Sequence, residues 1–151
     1  VTDERKARQG ILFAEKVRQV AIPLQKILII DAEADGRFFL GRTVARKFPH
    51  AVGLECQTRG QAEALAKDPA LFAIICHKAI DAEGKDLIPL LRSLRPDVAI
   101  VYISGTDRSQ YASALGADAF LLFEEWLRIG VVLEEAVSVR QKLNARNTGG
   151  T

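Results

Sequence analysis

Two short stretches hold residues whose types could do chemistry. Asp31 closes the apolar run Lys26-Ile27-Leu28-Ile29-Ile30 and is followed by Ala32 and Glu33. A carboxylate at the end of a buried strand can hold a cation, but it more often caps the loop that follows. The second stretch is Cys76-His77-Lys78, which follows Phe72-Ala73-Ile74-Ile75. A thiol there is a nucleophile only as the thiolate, so it needs a nearby cation or imidazole to lower its pKa. His77 and Lys78 are adjacent to it, yet consecutive residues on a strand point to opposite faces. Cys76 therefore reads first as a small buried hydrophobe, and a Cys76-dependent redox sensor or enzyme is the alternative. His50, Cys56, Cys76 and His77 contain no pair at zinc-site spacing, so no metal site is expected. Ser104 ends another apolar run, where a hydroxyl usually bonds local backbone. No glycine-rich loop follows Asp31, which argues against nucleotide binding.

These groups need elements to hold them. Residues 26–31, a short apolar run rich in β-branched residues, read as a strand, as do the apolar runs 72–76 and 98–103; 51–55 reads as a weak strand and 119–122 as a short fifth one. Continuous rather than alternating apolarity suits strands buried on both faces of a parallel sheet. Helical patterns lie between them. In the stretch 35–48, Phe38, Phe39, Val44, Ala45 and Phe48 are expected to face inward. Thr58 and Gln61 fit a capping box before a short helix over 60–67. Residues 86–94 hold Pro89 near their first turn, where proline is tolerated. A helix over 107–115 closes at Gly116, and a long one runs from Glu124 to about Ala145. Five strands alternating with helices predict an α/β, doubly wound, five-stranded parallel sheet in the order 2-1-3-4-5. The switch point of that order lies between strands 1 and 3, beside Asp31 and Cys76.

Composition narrows the function classes. The chain has 151 residues, 48% hydrophobic and 26% charged, which suits a soluble globular domain. A net charge of +2 argues against a nucleic-acid binder. The longest apolar runs, 70–76 and 98–103, fall far short of the roughly 20 residues that cross a bilayer. The opening VTDERKARQG lacks the apolar stretch of a signal peptide, and two cysteines make no disulfide framework. A cytoplasmic location is expected, with no membrane or nucleic-acid partner. The chain has no methionine, even at its start, so it is expected to be processed or cut from something longer.

As an ordered set, these segments resemble the bacterial response-regulator receiver family, with its flavodoxin-like (CheY-like) fold. The match runs from about Lys26 to Leu143. ILIIDAEAD resembles the opening strand, which in the family ends on an acidic pair. FAIICHKAIDAEGKDLIPLLRSLRP resembles the strand, loop and helix that carry the phosphoacceptor. Counting back from Gly84, the acceptor position falls on Cys76. VAIVYISG resembles the fourth strand, with Ser104 as its hydroxyl. ALGADAFLLFEEW resembles the fifth, with Phe120 at the switch-like aromatic position. Phe123 and Glu124 stand where the family has Lys and Pro.

The resemblance implies a degenerate phosphorylation pocket of Asp31, Ala32, Glu33, Cys76, Ser104 and Phe123. An aspartyl phosphate needs a carboxylate nucleophile, Mg²⁺ held by acids, and a cation opposite the phosphoryl oxygens. Here Cys76, Ala32 and Phe123 replace acceptor, metal ligand and cation, and Asp31 is at most a weak remnant of the metal site. The expected function is a pseudo-receiver: an interaction and regulatory module of two-component-type signalling, not an enzyme, with no cofactor. A receiver phosphorylated at an offset acid such as Asp81 is a further alternative.

The ends of the chain exceed what the family needs. Residues 1–24 are expected to form a helical extension, 25–145 the receiver-like domain and 146–151 a disordered tail. The extension carries an apolar stripe with Ile11, Leu12, Val17 and Val20 to Ile22. With Trp126 of the final helix, Ile11 and Val17 are expected to form an interaction surface. Its partner would be another protein, an adjacent domain of a longer chain, or a second copy in a homodimer.

Overall fold

Strands β1 (Lys26–Ile30), β2 (Val52–Cys56), β3 (Leu71–Cys76), β4 (Ala99–Ser104) and β5 (Ala119–Leu122) form a single parallel sheet. Its order is β2-β1-β3-β4-β5, as the alternation of strand and helix patterns predicts. The computed structural model describes residues 24–78 and 87–149 of the chain. Helices α1 (Ala34–Lys47), α2 (Arg59–Leu65), α3 (Ile88–Leu94), α4 (Ser109–Leu115) and α5 (Ile129–Gly149) flank the sheet, and a 3₁₀ turn over Phe123–Arg128 joins β5 to α5.

The sheet has an apolar layer on each side because its central strands β1, β3 and β4 are apolar almost throughout. Ile27 and Ile29 of β1 pack with Leu40 and Val44 of α1 and with Ile129, Val132 and Leu133 of α5. Leu28 and Ile30 face the other way, toward Ala62 of α2 and Ile88 and Leu91 of α3. At about 25 cal/mol per Å² of buried apolar surface, these two layers supply the main stabilising term. Local signals set the helix ends. Thr58 Oγ1 accepts from the Gln61 amide at 3.2 Å while Gln61 Oε1 accepts from the Thr58 amide at 3.3 Å. Pro89 sits in the first turn of α3, where no intrahelical bond needs its missing N–H. Gly116 ends α4 at φ 106°, a left-handed conformation that a side chain would strain.

Three sequence expectations change. Phe38, Phe39 and Ala45 do not face the core: the two phenylalanines are 54% and 38% exposed, and Ala45 is exposed as well. The buried stripe of α1 is Gly36, Leu40 and Val44, spaced by four so that one helix face meets the sheet, and the two phenylalanines fall beside it. Trp126 lies in the 3₁₀ turn rather than in the final helix, which begins only at Ile129 because Glu125 leaves helical geometry. That helix continues to Gly149, so residues 146–149 extend it instead of starting a tail. Arg146 in its last turn suits the negative end of the helix dipole. The N-terminal extension, with Ile11 and Val17, lies outside the described residues, as do Asp81 and Gly84.

The amino end of the sheet is tied by guanidinium groups. Arg92 donates to the carbonyls of Gly116 and Val98 and to Asp118 Oδ2 at 2.8 Å. Arg140 of α5 reaches the same carboxylate, at 2.6 Å from Oδ1. The Ile100 amide gives Asp118 a third partner. Arg95 holds the carbonyls of Ala66, Asp68 and Leu71, and the Lys26 ammonium pairs with Asp68 at 2.7 Å. Asp118 is thus a buried anion shared by α3, β4 and α5. Replacing it by Ala leaves two half-buried guanidinium groups unpaired, at a cost of about 3 kcal/mol. In a chain of this size, Asp118→Ala should lower the thermal midpoint by roughly 6–12 °C in calorimetry.

Candidate functional site

Strand register decides what meets at the carboxyl end of the sheet. Ile29 pairs with Ile75 and Ile30 with Cys76, so the next step along both strands sets Asp31 opposite His77. The His77 amide continues the ladder by donating to the Ile30 carbonyl at 2.9 Å. Side chains alternate, so Asp31 follows Ile27 and Ile29 onto the α1 and α5 side, and His77 follows Ala73 and Ile75 there. On β5, Leu121 points to that side, and Phe123 comes two residues later. Three elements therefore bring Asp31, His77 and Phe123 together.

Asp31 is fully buried, and each of its polar atoms has a partner. Its amide donates to the Cys56 carbonyl at 3.0 Å. Its carbonyl accepts from the Arg37 guanidinium at 2.7 Å. Carboxylate Oδ1 accepts from the Glu33 amide at 2.9 Å, a local loop-capping bond. Oδ2 accepts from His77 Nδ1 at 2.8 Å, which fixes the proton on that nitrogen. The His77 side chain is 3% exposed and stacks on Phe123, ring centres 4.4 Å apart and 9° from parallel. His77 Nε2 is buried and has no hydrogen-bond partner among the described residues. Gly36, in the first turn of α1, closes over the carboxylate so tightly that a Cβ there would run into Asp31 Oδ2.

The remaining predicted pocket residues divide. Ala32 follows Asp31 with a half-buried methyl and no ligating atom, and its amide donates to the Lys78 carbonyl. Glu33 gives its backbone to Asp31, but its carboxylate points outward to an exposed pair with Lys78 at 3.1 Å. Ser104 Oγ is engaged locally by the Thr106 amide and hydroxyl. Phe120 lies half-buried against Tyr102, ring centres 5.7 Å apart. Trp126 is half-buried and stacks on Phe39 at 4.9 Å, which covers one face of its ring.

Cys76 requires a correction. It does not enter the pocket; it packs with Leu28, Ile30, Cys56 and Ile74 in the layer toward α2 and α3. Counting back from the loop glycine assumes a fixed loop length, whereas the strand ladder determines which side a residue faces. The side chain that meets Asp31 is His77, and the alternating set Ala73, Ile75, His77 carried that signal in the sequence. Cys56 is buried as well, and burial pushes its thiol up to about 11 against a smaller downward pull from Arg37.

The chemistry of this cluster follows from its saturation. Hard Mg²⁺ needs several free oxygens. Both oxygens of Asp31 are already used, Ala32 has none and Glu33 is turned away, so these residues do not fit the ion. Among the described residues, no three acids, histidines or cysteines are placed to hold a metal. The apolar ring of Phe123 stands over the imidazole in place of any cation.

Comparison with protein-family models finds no match, and neither does comparison with curated proteins. Solved structures do match, and several are described as response regulators or their receiver domains. A CheY-like response-regulator receiver domain protein from Methanospirillum hungatei aligns over 79% of this chain and 98% of its own, with 20% identity and a TM-score of 0.62. A Burkholderia pseudomallei response regulator, solved with a phosphorylated aspartic acid, aligns over 82% of this chain and 74% of its own, with 23% identity and a TM-score of 0.56. NtrX from Brucella abortus reaches a TM-score of 0.68 at 19% identity, over 82% of this chain and 29% of its own. The fold is therefore the CheY-like receiver fold.

Two substitutions test the cluster. His77→Ala strands a buried carboxylate and should cost about 3 kcal/mol, read as a lower denaturation midpoint. Gly36→Ala pits a helix-propensity gain of up to about 1 kcal/mol against overpacking of 1–3 kcal/mol. Because Asp31 cannot move without losing its partners, the clash should win and Gly36→Ala should destabilise the protein in the same assay.

Proposed function

We propose that this chain is a pseudo-receiver: a module of two-component-type signalling that acts through protein contacts and is not switched by aspartyl phosphorylation. The observation that carries this reading is the saturation of Asp31, whose carboxylate is occupied by the Glu33 amide and the His77 imidazole beneath Phe123. In this reading His77 stands where a receiver would present its acceptor carboxylate, and Phe123 where it would present its lysine. An imidazole that already donates to Asp31 holds the strand ends in one arrangement without a phosphoryl group. No catalytic step is assigned to any residue, and no cofactor is required.

Surface features favour a role in binding. Phe38, Phe39 and Leu127 are large apolar side chains left exposed near the same end of α1 and the 3₁₀ turn. Arg42 lies 5.4 Å from the Phe38 ring centre, so the patch is aromatic and basic together. A protein partner or an adjacent domain of a longer chain fits such a surface. The alignment with only 29% of NtrX is an example of a receiver fold within a longer protein. The alternative of a reactive Cys76 is disfavoured by its burial in an apolar layer, away from solvent.

The test is direct. The full chain is incubated with acetyl phosphate and Mg²⁺ and its intact mass is measured. The mass should not change. A gain of one phosphoryl group, mapped by fragmentation to Asp31 or to the offset acid Asp81, would overturn the reading.

A further inference from the structure

We propose that the groove between α4 and α5, beside the outer strand β5, is a binding site for a small carboxylate with an apolar body. The groove has a volume of about 470 Å³, within the roughly 300–1,000 Å³ of small-molecule pockets. Its walls are Ala112 and Ser113 of α4, Phe120 of β5, and Val139 and Leu143 of α5. Arg92 reaches it from α3 and Arg140 from α5. Asp118 also lines it and precedes β5, so the groove lies at the opposite end of the sheet from Asp31.

An unbalanced charge identifies the head group of the ligand. Arg92 and Arg140 share the carboxylate of Asp118, at 2.8 and 2.6 Å. The next acid, Asp97, is held through both oxygens by Arg95. Two guanidinium groups therefore line the groove with one countercharge between them. Arg92 uses Nε on the Gly116 carbonyl and Nη1 on the carbonyls of Val98, Arg95 and Pro96, which leaves Nη2 with Asp118 alone. Arg140 uses Nη1 on the Pro96 carbonyl and both Nε and Nη2 on Asp118. Each Nη2 carries two N–H groups, so among the described residues both guanidiniums keep a donor in reserve. Burial pulls the Arg92 guanidinium below its usual range against the attraction of Asp118, and the charge of Arg140 adds to that pull. One further negative charge would restore the balance, which is what a monocarboxylate supplies. The walls select its body: Val139 and Leu143 are 45% and 36% exposed, and an apolar chain laid on them removes that surface from water. An inorganic anion would leave it wet.

Hexanoate is the probe, added to the ¹⁵N-labelled full chain at low salt. It should shift the amide signals of Ser113, Gly116, Phe120 and Val139 saturably. Acetate lacks the chain and 1-hexanol lacks the charge. Each should bind at least about tenfold more weakly, since one hydrogen bond to a charged group or two buried methylenes is worth that factor. Ser113→Glu places a like charge on an exposed position of the wall and should weaken hexanoate by a similar factor without moving the signals of β1, β3 and β4. Arg140→Gln should also weaken it, in a chain that keeps Arg92 on Asp118. The proposal fails if hexanoate gives no saturable shift, if acetate, inorganic phosphate or 1-hexanol binds as well as hexanoate, or if Ser113→Glu leaves binding unchanged. It fails as well if the same signals move on dilution of the protein alone, which would make the groove a contact between copies.

Discussion

A carboxylate with no exposed surface must find a partner for each of its oxygens, and the carboxyl end of this sheet is arranged around that requirement. Asp31 has four partners on four segments: the Cys56 carbonyl at the end of β2, the Arg37 guanidinium on α1, the Glu33 amide in the loop and the His77 ring after β3. Each constrains a different segment. The direction in which α1 leaves the sheet is limited by Gly36, because any side chain there would meet the carboxylate. The 3₁₀ turn is drawn in because Phe123 supplies the flat apolar surface on which the imidazole rests. An unpaired buried carboxylate costs several kcal/mol, a large part of a domain's net stability, so these constraints act as one unit.

The two ends of the sheet solve the same electrostatic problem with different donors. At the amino end, Asp118 is neutralised by two guanidinium groups and an amide, and Arg95 gathers three carbonyls. Guanidinium groups suit that end because they keep their charge while reaching several acceptors at fixed angles. At the carboxyl end, the anion is held by one imidazole and one amide under an aromatic ring, and neither of its oxygens faces solvent. In a doubly wound sheet the carboxyl end is where ligands bind. Here a histidine and a phenylalanine fill that end.

Much of this was legible in the order of residues. The apolar runs 26–30, 71–76 and 99–104 are too continuous for anything but strands buried on both faces, and the helical stretches between them require parallel crossovers. The capping box at Thr58 and Gln61 and the stop at Gly116 are local bonds between near neighbours, so they can be read from spacing. Asp31 at the end of the first strand was legible too. The facing of α1 was less so. Phe38 and Phe39 are more apolar than Gly36, yet Gly36 is buried, because the approach of the helix to Asp31 leaves room there only for a hydrogen atom.

By itself, then, the sequence determined the fold class and the strand order, since these follow from apolarity and periodicity. Only the tertiary structure decided which side chain answers Asp31. Cys76 and His77 are neighbours, and a shift of one residue along a strand exchanges the two faces of the sheet. The ladder between β1 and β3 sets that shift, through hydrogen bonds between residues about 46 apart in the chain. It turns the thiol into the core and the imidazole onto the carboxylate. Register of this kind depends on two strands at once, and no window of either strand alone contains it.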